Sequence, residues 1–79
     1  MIDVTVPKGG LDAEGMGVGQ ILVEVGHRVV PGQPLAEIET GKVTLEVEAE
    51  TGGVVHEILL QPGQDVSVGD VILRLDETA

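Results

Sequence analysis

Phenylalanine, tyrosine and tryptophan are all absent from this chain of 79 residues. A hydrophobic core must therefore be built from valine, isoleucine, leucine and alanine, and no aromatic ring can stack on a base, a sugar or a flavin. Cysteine is absent as well, which excludes disulfides, a thiol nucleophile and cysteine-based metal sites. Ser67 is the only serine, and neither a Ser-His-Asp arrangement nor a P-loop pattern stands out. We therefore expect no catalytic residue.

Basic residues are scarce, since four lysines and arginines oppose 14 acids and the net charge is −10. Such a surface repels phosphate backbones and anionic lipids, so neither nucleic acid nor a membrane is expected as a partner. No long apolar run indicates a membrane span. The two histidines, His27 and His56, are far apart in sequence and have different neighbours, so we interpret them as surface residues and expect no metal site.

An internal repeat organises the chain. A shift of 37 residues lays the run 26–35 on the run 63–72, with identities at Gly26/Gly63, Val29/Val66 and Gly32/Gly69. Glycines and prolines punctuate every segment and argue against helix. Strands are predicted near residues 2–6, 18–25, 28–30, 35–40, 43–48, 54–60, 65–67 and 71–76. The expected fold is all-β, a flattened barrel or sandwich of two four-stranded antiparallel sheets with pseudo-two-fold symmetry.

The apolar fraction of 42% argues against disorder, and the length predicts one small domain. Each half is too short to bury a core alone, so the two halves are expected to pack together. The predicted core contains Ile21, Val29, Ile38, Leu45, Val47, Val55, Ile58, Val66 and Ile72.

The most informative segment is 36–47, where two alternating runs meet at Gly41-Lys42. A two-residue turn pairs residues whose numbers sum to 83, which puts the apolar residues on one face and the acids on the other. Glycine at position 41 favours a type II′ turn. Lys42 then lies at the tip, and the repeat puts that tip opposite the two termini. Lysine is common on exposed turns, but one displayed alone on an acidic domain indicates an attachment point; Lys8 follows a strand and is interpreted as a surface charge.

Five glutamates could suggest paired catalytic carboxylates. Alternation puts all five on the outer face, where the carboxylates are solvated and lack the desolvation that would adapt them as a catalytic acid or base. We therefore interpret them as a negative surface that can contribute to docking of a basic partner. They are Glu37, Glu39, Glu46, Glu48 and Glu50.

The run Gly-Gln-Pro-Leu-Ala-Glu-Ile-Glu-Thr over 32–40 and the segments 4–8, 25–29, 42–47, 52–55, 62–66 and 68–72 together form a specific pattern. In these residues nearly the whole chain resembles the lipoyl domain of the dihydrolipoyl acyltransferases in 2-oxo acid dehydrogenase complexes, a biotinyl/lipoyl attachment family with a barrel-sandwich hybrid fold. The run 32–40 reads almost as a family consensus. Gly41 departs from it, because the family usually has aspartate before the modified lysine.

The resemblance implies that Lys42, flanked by Gly41 and Val43, carries lipoic acid in an amide. The domain would catalyse nothing itself. It would be modified by a lipoate ligase or lipoyl transferase, and it would serve a thiamine-diphosphate-dependent 2-oxo acid decarboxylase, an acyltransferase catalytic domain and a flavin-containing dihydrolipoyl dehydrogenase. Asp12, Glu14, Glu39 and Thr40 are the candidates for partner recognition, although the loop 9–17 only partly matches the family's acidic pattern.

Two other functions stay open. A biotinyl carrier of a carboxylase shares this fold, but its lysine usually lies between methionines, whereas Gly41 and Val43 flank Lys42 here. An unmodified lipoyl-like interaction module is the second alternative, and the change of aspartate to Gly41 keeps it open. We expect residues 1–79 to be a single, monomeric domain cut from a multidomain acyltransferase of the bacterial cytoplasm or the mitochondrial matrix.

Overall fold

The computed structural model describes residues 1–7, 15–41 and 43–78, and within these ranges the chain forms seven β-strands. The strands are β1 (Ile2–Thr5), β2 (Gly17–Ile21), β3 (Arg28–Val29), β4 (Pro34–Glu39), β5 (Thr44–Glu48), β6 (Gly53–Ile58) and β7 (Val71–Asp76). The described part of the chain contains no helix that is long and apolar enough to cross a membrane.

The strands form two antiparallel sheets, one with the order β1-β7-β6-β3 and one with the order β2-β4-β5. This arrangement confirms the predicted all-β fold of two packed sheets. The second sheet has three strands, because the strand expected near 65–67 is reduced to an isolated bridge between Gly17 and Asp65. The predicted strand 18–25 is also too long: β2 ends at Ile21, and a turn stabilised by the amide of Glu24 and the ring Nδ1 of His27 follows.

Four turns repeat the same geometry and confirm the 37-residue offset. Turns 24–27 and 30–33 correspond to turns 61–64 and 67–70. The third residue of each turn is a glycine with φ between 86° and 94°, as a type II turn requires. The side chain of the fourth residue accepts a hydrogen bond from the amide of the first, at 2.9–3.3 Å. The two halves are therefore built by the same local rules.

Two β-bulges related by the same offset explain why the core is larger than alternation predicts. The pairing of β4 with β5 shifts between Pro34 and Ala36, and Leu35 and Ala36 are both buried. The pairing of β1 with β7 shifts opposite the equivalent position, and Ile72 and Leu73 are both buried. A bulge turns two consecutive side chains to one side, so strict period-2 alternation does not apply there.

The core lies between the two sheets and consists of aliphatic residues and one methionine. Six of the predicted core residues are buried, namely Val29, Ile38, Val47, Val55, Val66 and Ile72. The other three are only partly buried and pack against the rim of the core, which corrects the prediction for Ile21, Leu45 and Ile58. The buried residues that the predicted core did not include are Val6, Met16, Val18, Val23, Leu35, Ala36, Ala49, Leu60, Leu73 and Leu75.

The described chain ends lie at one end of a domain whose principal extents are 36 × 20 × 17 Å. The amino group of Met1 lies 3.2 Å from Oε1 of Glu77, and Val54 at the start of β6 pairs with Asp76. Only residues 49–52 separate the end of β5 from the start of β6, so the Glu48 end of the β4–β5 hairpin lies on the same side. The turn of that hairpin therefore lies at the opposite end of the domain.

Candidate functional site: the β4–β5 hairpin and its flanks

The β4–β5 hairpin has the register that the sequence predicts. Its Cα partners near the turn sum to 83, and they are Ala36 with Val47, Glu37 with Glu46, Ile38 with Leu45, and Glu39 with Thr44. Ile38 is fully buried while Glu39 and Thr44 are exposed. Because the apolar face is fixed against the core, the hairpin cannot slip by one residue without exposing it. The chain position of the turn is therefore tightly specified.

Thr40 and Val43 close the hairpin where the turn begins and ends. The amide of Thr40 donates to the carbonyl of Val43 at 2.9 Å, and the amide of Val43 donates to Oγ1 of Thr40 at 3.0 Å. The Thr40 hydroxyl also donates to the Val43 carbonyl at 2.9 Å. A threonine side chain here supplements the backbone bonds, as Ser and Thr do in turns. The turn between these residues thus starts from a fixed base.

Gly41 does not have the backbone conformation that a type II′ turn requires. That turn needs a positive φ at its first central residue, and Gly41 lies outside the left-handed region. The prediction of a type II′ turn at Gly41 is therefore wrong. A Cβ built on Gly41 meets nothing within 4 Å, so both the backbone and the surrounding space accept a side chain.

The flanks of position 42 are open to solvent. Gly41 is exposed, and Val43 retains 44% of its surface although it is apolar. Lys42 itself lies outside the described residues. A long, flexible group joined at such a position needs no pocket, only a base that does not obstruct it, and the described flanks of the turn provide one.

The predicted recognition residues fall into two groups. Glu39 and Thr40 lie directly at the described base of the turn, as does the flank Val43. Asp12 and Glu14 lie outside the described residues. Gly17 pairs with Glu39, which brings the chain that follows the 8–14 segment to the side of the hairpin turn.

Sequence reasoning missed the role of Gly19 beside Glu39. A Cβ on Gly19 would lie 2.9 Å from Cγ of Glu39, so the glutamate side chain extends over the space that glycine leaves on β2. Gly19 lies at the bulge between Val18 and Gln20, which the sequence alone does not reveal. The absent side chain leaves room for the Glu39 side chain beside β2.

The outer faces of the two sheets differ in charge at equivalent positions. On the β1-β7-β6 face, Arg74 contacts Asp3 and Glu57, at 3.1 Å in each case. The residue 37 positions before Arg74 is Glu37, which lies opposite Glu46. The 37-residue offset could have revealed this contrast. The outer face of the sheet that contains the hairpin therefore carries Glu37 at the position where the other sheet carries Arg74.

The carboxylates with resolved pKa shifts lie at the other end of the domain. The hydroxyl and the amide of Thr78 donate to Oδ1 of Asp76 at 2.8 and 3.0 Å, and these bonds lower the pKa of that carboxyl. The pKa of Glu77 is lowered by a hydrogen bond from its own backbone and by the amino terminus. Both pKa shifts therefore arise from hydrogen bonds near the chain ends and not from the hairpin turn. Among the described residues, no three His, Asp or Glu side chains are grouped so as to hold a metal ion.

Comparison with known proteins defines the class of this domain. Residues 2–75 match the model of the biotin/lipoyl family, which is described as "Biotin-requiring enzyme". The chain belongs to this biotin/lipoyl attachment family.

Particular relatives are similar over most of the chain. The dihydrolipoyllysine-residue acetyltransferase component of the pyruvate dehydrogenase complex of Haemophilus influenzae is 40% identical over 76 residues, which cover 96% of this chain and 13% of that protein. The biotin carboxyl carrier protein of acetyl-CoA carboxylase of a Nostoc species is 40% identical over 55 residues, which cover 70% of this chain and 30% of that protein. This chain therefore spans only a small part of either relative.

A solved structure shares the fold. The solution structure of the lipoyl domain of the 2-oxoglutarate dehydrogenase complex from Azotobacter vinelandii superimposes with a TM-score of 0.72 at 30% identity. The superposition covers 94% of this chain and 96% of that domain. The likeness extends over almost the whole solved domain and supports the sequence-based assignment of the fold.

Proposed function

We propose that the domain is a non-catalytic swinging-arm carrier in which lipoic acid is joined in an amide to the side-chain nitrogen of Lys42. The observation that carries this proposal is the fixed β4–β5 register, which centres the hairpin on Gly41-Lys42 and keeps Gly41 and Val43 exposed. The hairpin turn also lies opposite the chain ends, so a tether at the termini leaves the arm unobstructed.

The bound lipoyl group supplies a dithiolane that takes up an acyl group and two reducing equivalents. The residues of this chain do not touch the reacting bonds. Thr40 and Val43 hold the base of the turn, and the aliphatic core holds the hairpin at its register. The contribution of the domain is reach and a high local concentration of the arm.

The partners proposed for this carrier are those of a 2-oxo acid dehydrogenase complex. A lipoate ligase or lipoyl transferase modifies Lys42. A thiamine-diphosphate-dependent 2-oxo acid decarboxylase, an acyltransferase catalytic domain and dihydrolipoyl dehydrogenase then use the arm in turn. Glu39 and Thr40 beside the turn, with Asp12 and Glu14, are proposed to recognise the decarboxylase. The proposed location is the bacterial cytoplasm or the mitochondrial matrix, and the isolated domain is proposed to be monomeric.

The test is modification by a purified lipoate ligase, followed by intact mass. The unaltered domain should gain the mass of one lipoyl group. Lys42→Ala should gain none, whereas Lys8→Ala, the matched control that removes the other lysine, should be modified at the normal rate. A lipoyl adduct on Lys42→Ala would refute the assignment of the site.

A biotinyl carrier is the second candidate, and the Nostoc carrier protein is the relative that favours it. The flanks Gly41 and Val43 argue against it, since methionines usually flank the lysine of biotinyl domains. A biotin ligase incubated with the same variants distinguishes the two functions. If Lys42 is biotinylated faster than it is lipoylated, the biotinyl carrier becomes the favoured function.

A further inference from the structure

A groove runs between β1 and β5, the open edges of the two sheets. Each of these strands pairs on one side only within the described ranges, β1 with β7 and β5 with β4. The groove between them has a volume of about 760 Å³, and both strands contribute to its walls. Edge strands expose a row of backbone donors and acceptors that can pair with another chain.

The opposite edges of the two sheets are formed by short segments. In the first sheet the opposite edge is β3, which has two residues. The turn before β3 extends its pairing with β6, since the amide of Gly26 donates to the carbonyl of Val55 and the amide of Val55 donates to the carbonyl of His27, both at 2.8 Å. Next to β2, Gly63 and Gln64 make the equivalent pair of bonds with Val18, at 2.7 and 2.9 Å. Within the described ranges, β1 and β5 are therefore longer edge strands than β3, and the groove lies between them.

The groove combines an apolar floor with an acidic rim. Ile2 and Val4 of β1 are only partly buried and line it, together with Val47 of β5. The rim carries Glu46, Glu48 and Glu50, which follow one another at every second position along β5 and beyond it. None of the three makes an ion pair within residues 1–7, 15–41 and 43–78.

The charge of the rim determines what can fill the groove. A second copy of this domain would bring its own acidic edge and a net charge of −10 against the same surface, which opposes association. Acidic side chains on an edge also block unwanted pairing between copies. An occupant must therefore be a different chain, with basic residues where β5 has glutamates.

We propose that this groove binds an extended segment of another protein, with basic and apolar residues in alternation, which adds as a strand to the β5 edge. Successive side chains of an added strand point to opposite faces of the sheet. Its basic residues would then lie beside Glu46 and Glu48, and its apolar residues over Val4 and Val47. The groove extends toward the chain ends, so the segment and a group on the hairpin turn can be bound together.

The experiment titrates ¹⁵N-labelled Lys42→Ala domain with an acetylated, amidated seven-residue peptide of alternating lysine and valine, and follows amide shifts by NMR. Because Lys42→Ala lacks the proposed attachment site, the outcome of this test does not depend on the proposed carrier function. The expected shifts lie in β1, β5 and residues 49–51. Glu48→Lys should weaken binding about tenfold, whereas Glu24→Lys, which makes the same charge change on an exposed turn beside β6, should weaken it much less.

Strand addition is tested with two further peptides, one methylated on the valine amides and one on the lysine amides. Amides of alternate residues point to opposite sides of a strand, so one methylated peptide should bind about tenfold more weakly and the other should bind normally. Equal binding of both would show attraction by charge alone and overturn the proposal. Shifts centred on the hairpin turn, or a dimer of the domain by sedimentation in place of peptide binding, would also overturn it.

Discussion

At the residue scale, Gly41 is a turn glycine that the described fold does not require. Glycines at turns are usually required by a positive φ, as at Gly26 and Gly63. Gly41 has no left-handed φ, and apart from Gly41 itself and its two chain neighbours no atom lies within 4 Å of the place that a Cβ would occupy. The fold therefore does not require glycine there, so a substitution at position 41 tests how partners contact the turn.

Gly41→Asp should retain the fold and alter partner use. Because the backbone accepts a side chain, the free energy of unfolding should change by no more than about 1 kcal/mol. The added carboxylate lies beside Lys42 in sequence, so the rate of reductive acylation by a cognate decarboxylase should change when both proteins are fully lipoylated. Thermal melts and acylation rates of the two proteins check this.

The matched control is Gly63→Asp, where φ is 87° and an L-residue is strained. It should destabilise the domain by about 1 kcal/mol or more. If Gly41→Asp instead lowers the melting temperature as much as the control and leaves the acylation rate unchanged, Gly41 serves the fold.

At the scale of elements, the hairpin register determines where in the chain the turn falls, and the described flanks Gly41 and Val43 are exposed. The register is determined by Ile38 and Val47, which are buried, and the turn is closed by Thr40 and Val43. Successive residues point in different directions, so an enzyme that modifies the domain can find its target by position.

The double variant Gly41→Lys with Lys42→Gly tests recognition by position. It exchanges the two turn residues while composition and charge stay the same. Lipoylation by the ligase should fall roughly 100-fold, since a small misplacement of a reacting group is costly. Gly41→Lys alone is the control and should be modified once, at Lys42, as peptide mapping would reveal. Labelling of the double variant at the normal rate would refute recognition by position.

Some elements could be predicted from the sequence because one simple rule governs them. The β4–β5 register follows from alternation alone, and the four repeated turns follow from their glycines. The bulges at Leu35 and Ile72 break alternation, so the sequence pattern underestimated the core around both residues. The turn type at Gly41 was predicted wrongly because glycine permits a positive φ without requiring it.

At the scale of the whole molecule, the two halves share a backbone plan and differ in charge. Arg74 bridges Asp3 and Glu57 on one outer face, and its equivalent Glu37 lies opposite Glu46 on the other. Like charges directly opposite each other on adjacent strands are destabilising. The repulsion between Glu37 and Glu46 therefore lowers the free energy of unfolding, and a basic partner bound at this face would relieve it.

Glu37→Arg should stabilise the domain by giving this face the ion pair that the other face already has. The new arginine would lie opposite Glu46, and the free energy of unfolding should rise by about 0.5–1 kcal/mol at low ionic strength. Salt should reduce the gain, because charges this exposed are screened. Urea unfolding with and without added sodium chloride measures both effects.

The control is Glu24→Arg, which makes the same change in net charge without a facing glutamate on a neighbouring strand. It therefore corrects for general repulsion in a chain of charge −10. If the two variants gain equally, the Glu37–Glu46 pair has no specific cost and the charge contrast between the faces does not affect stability.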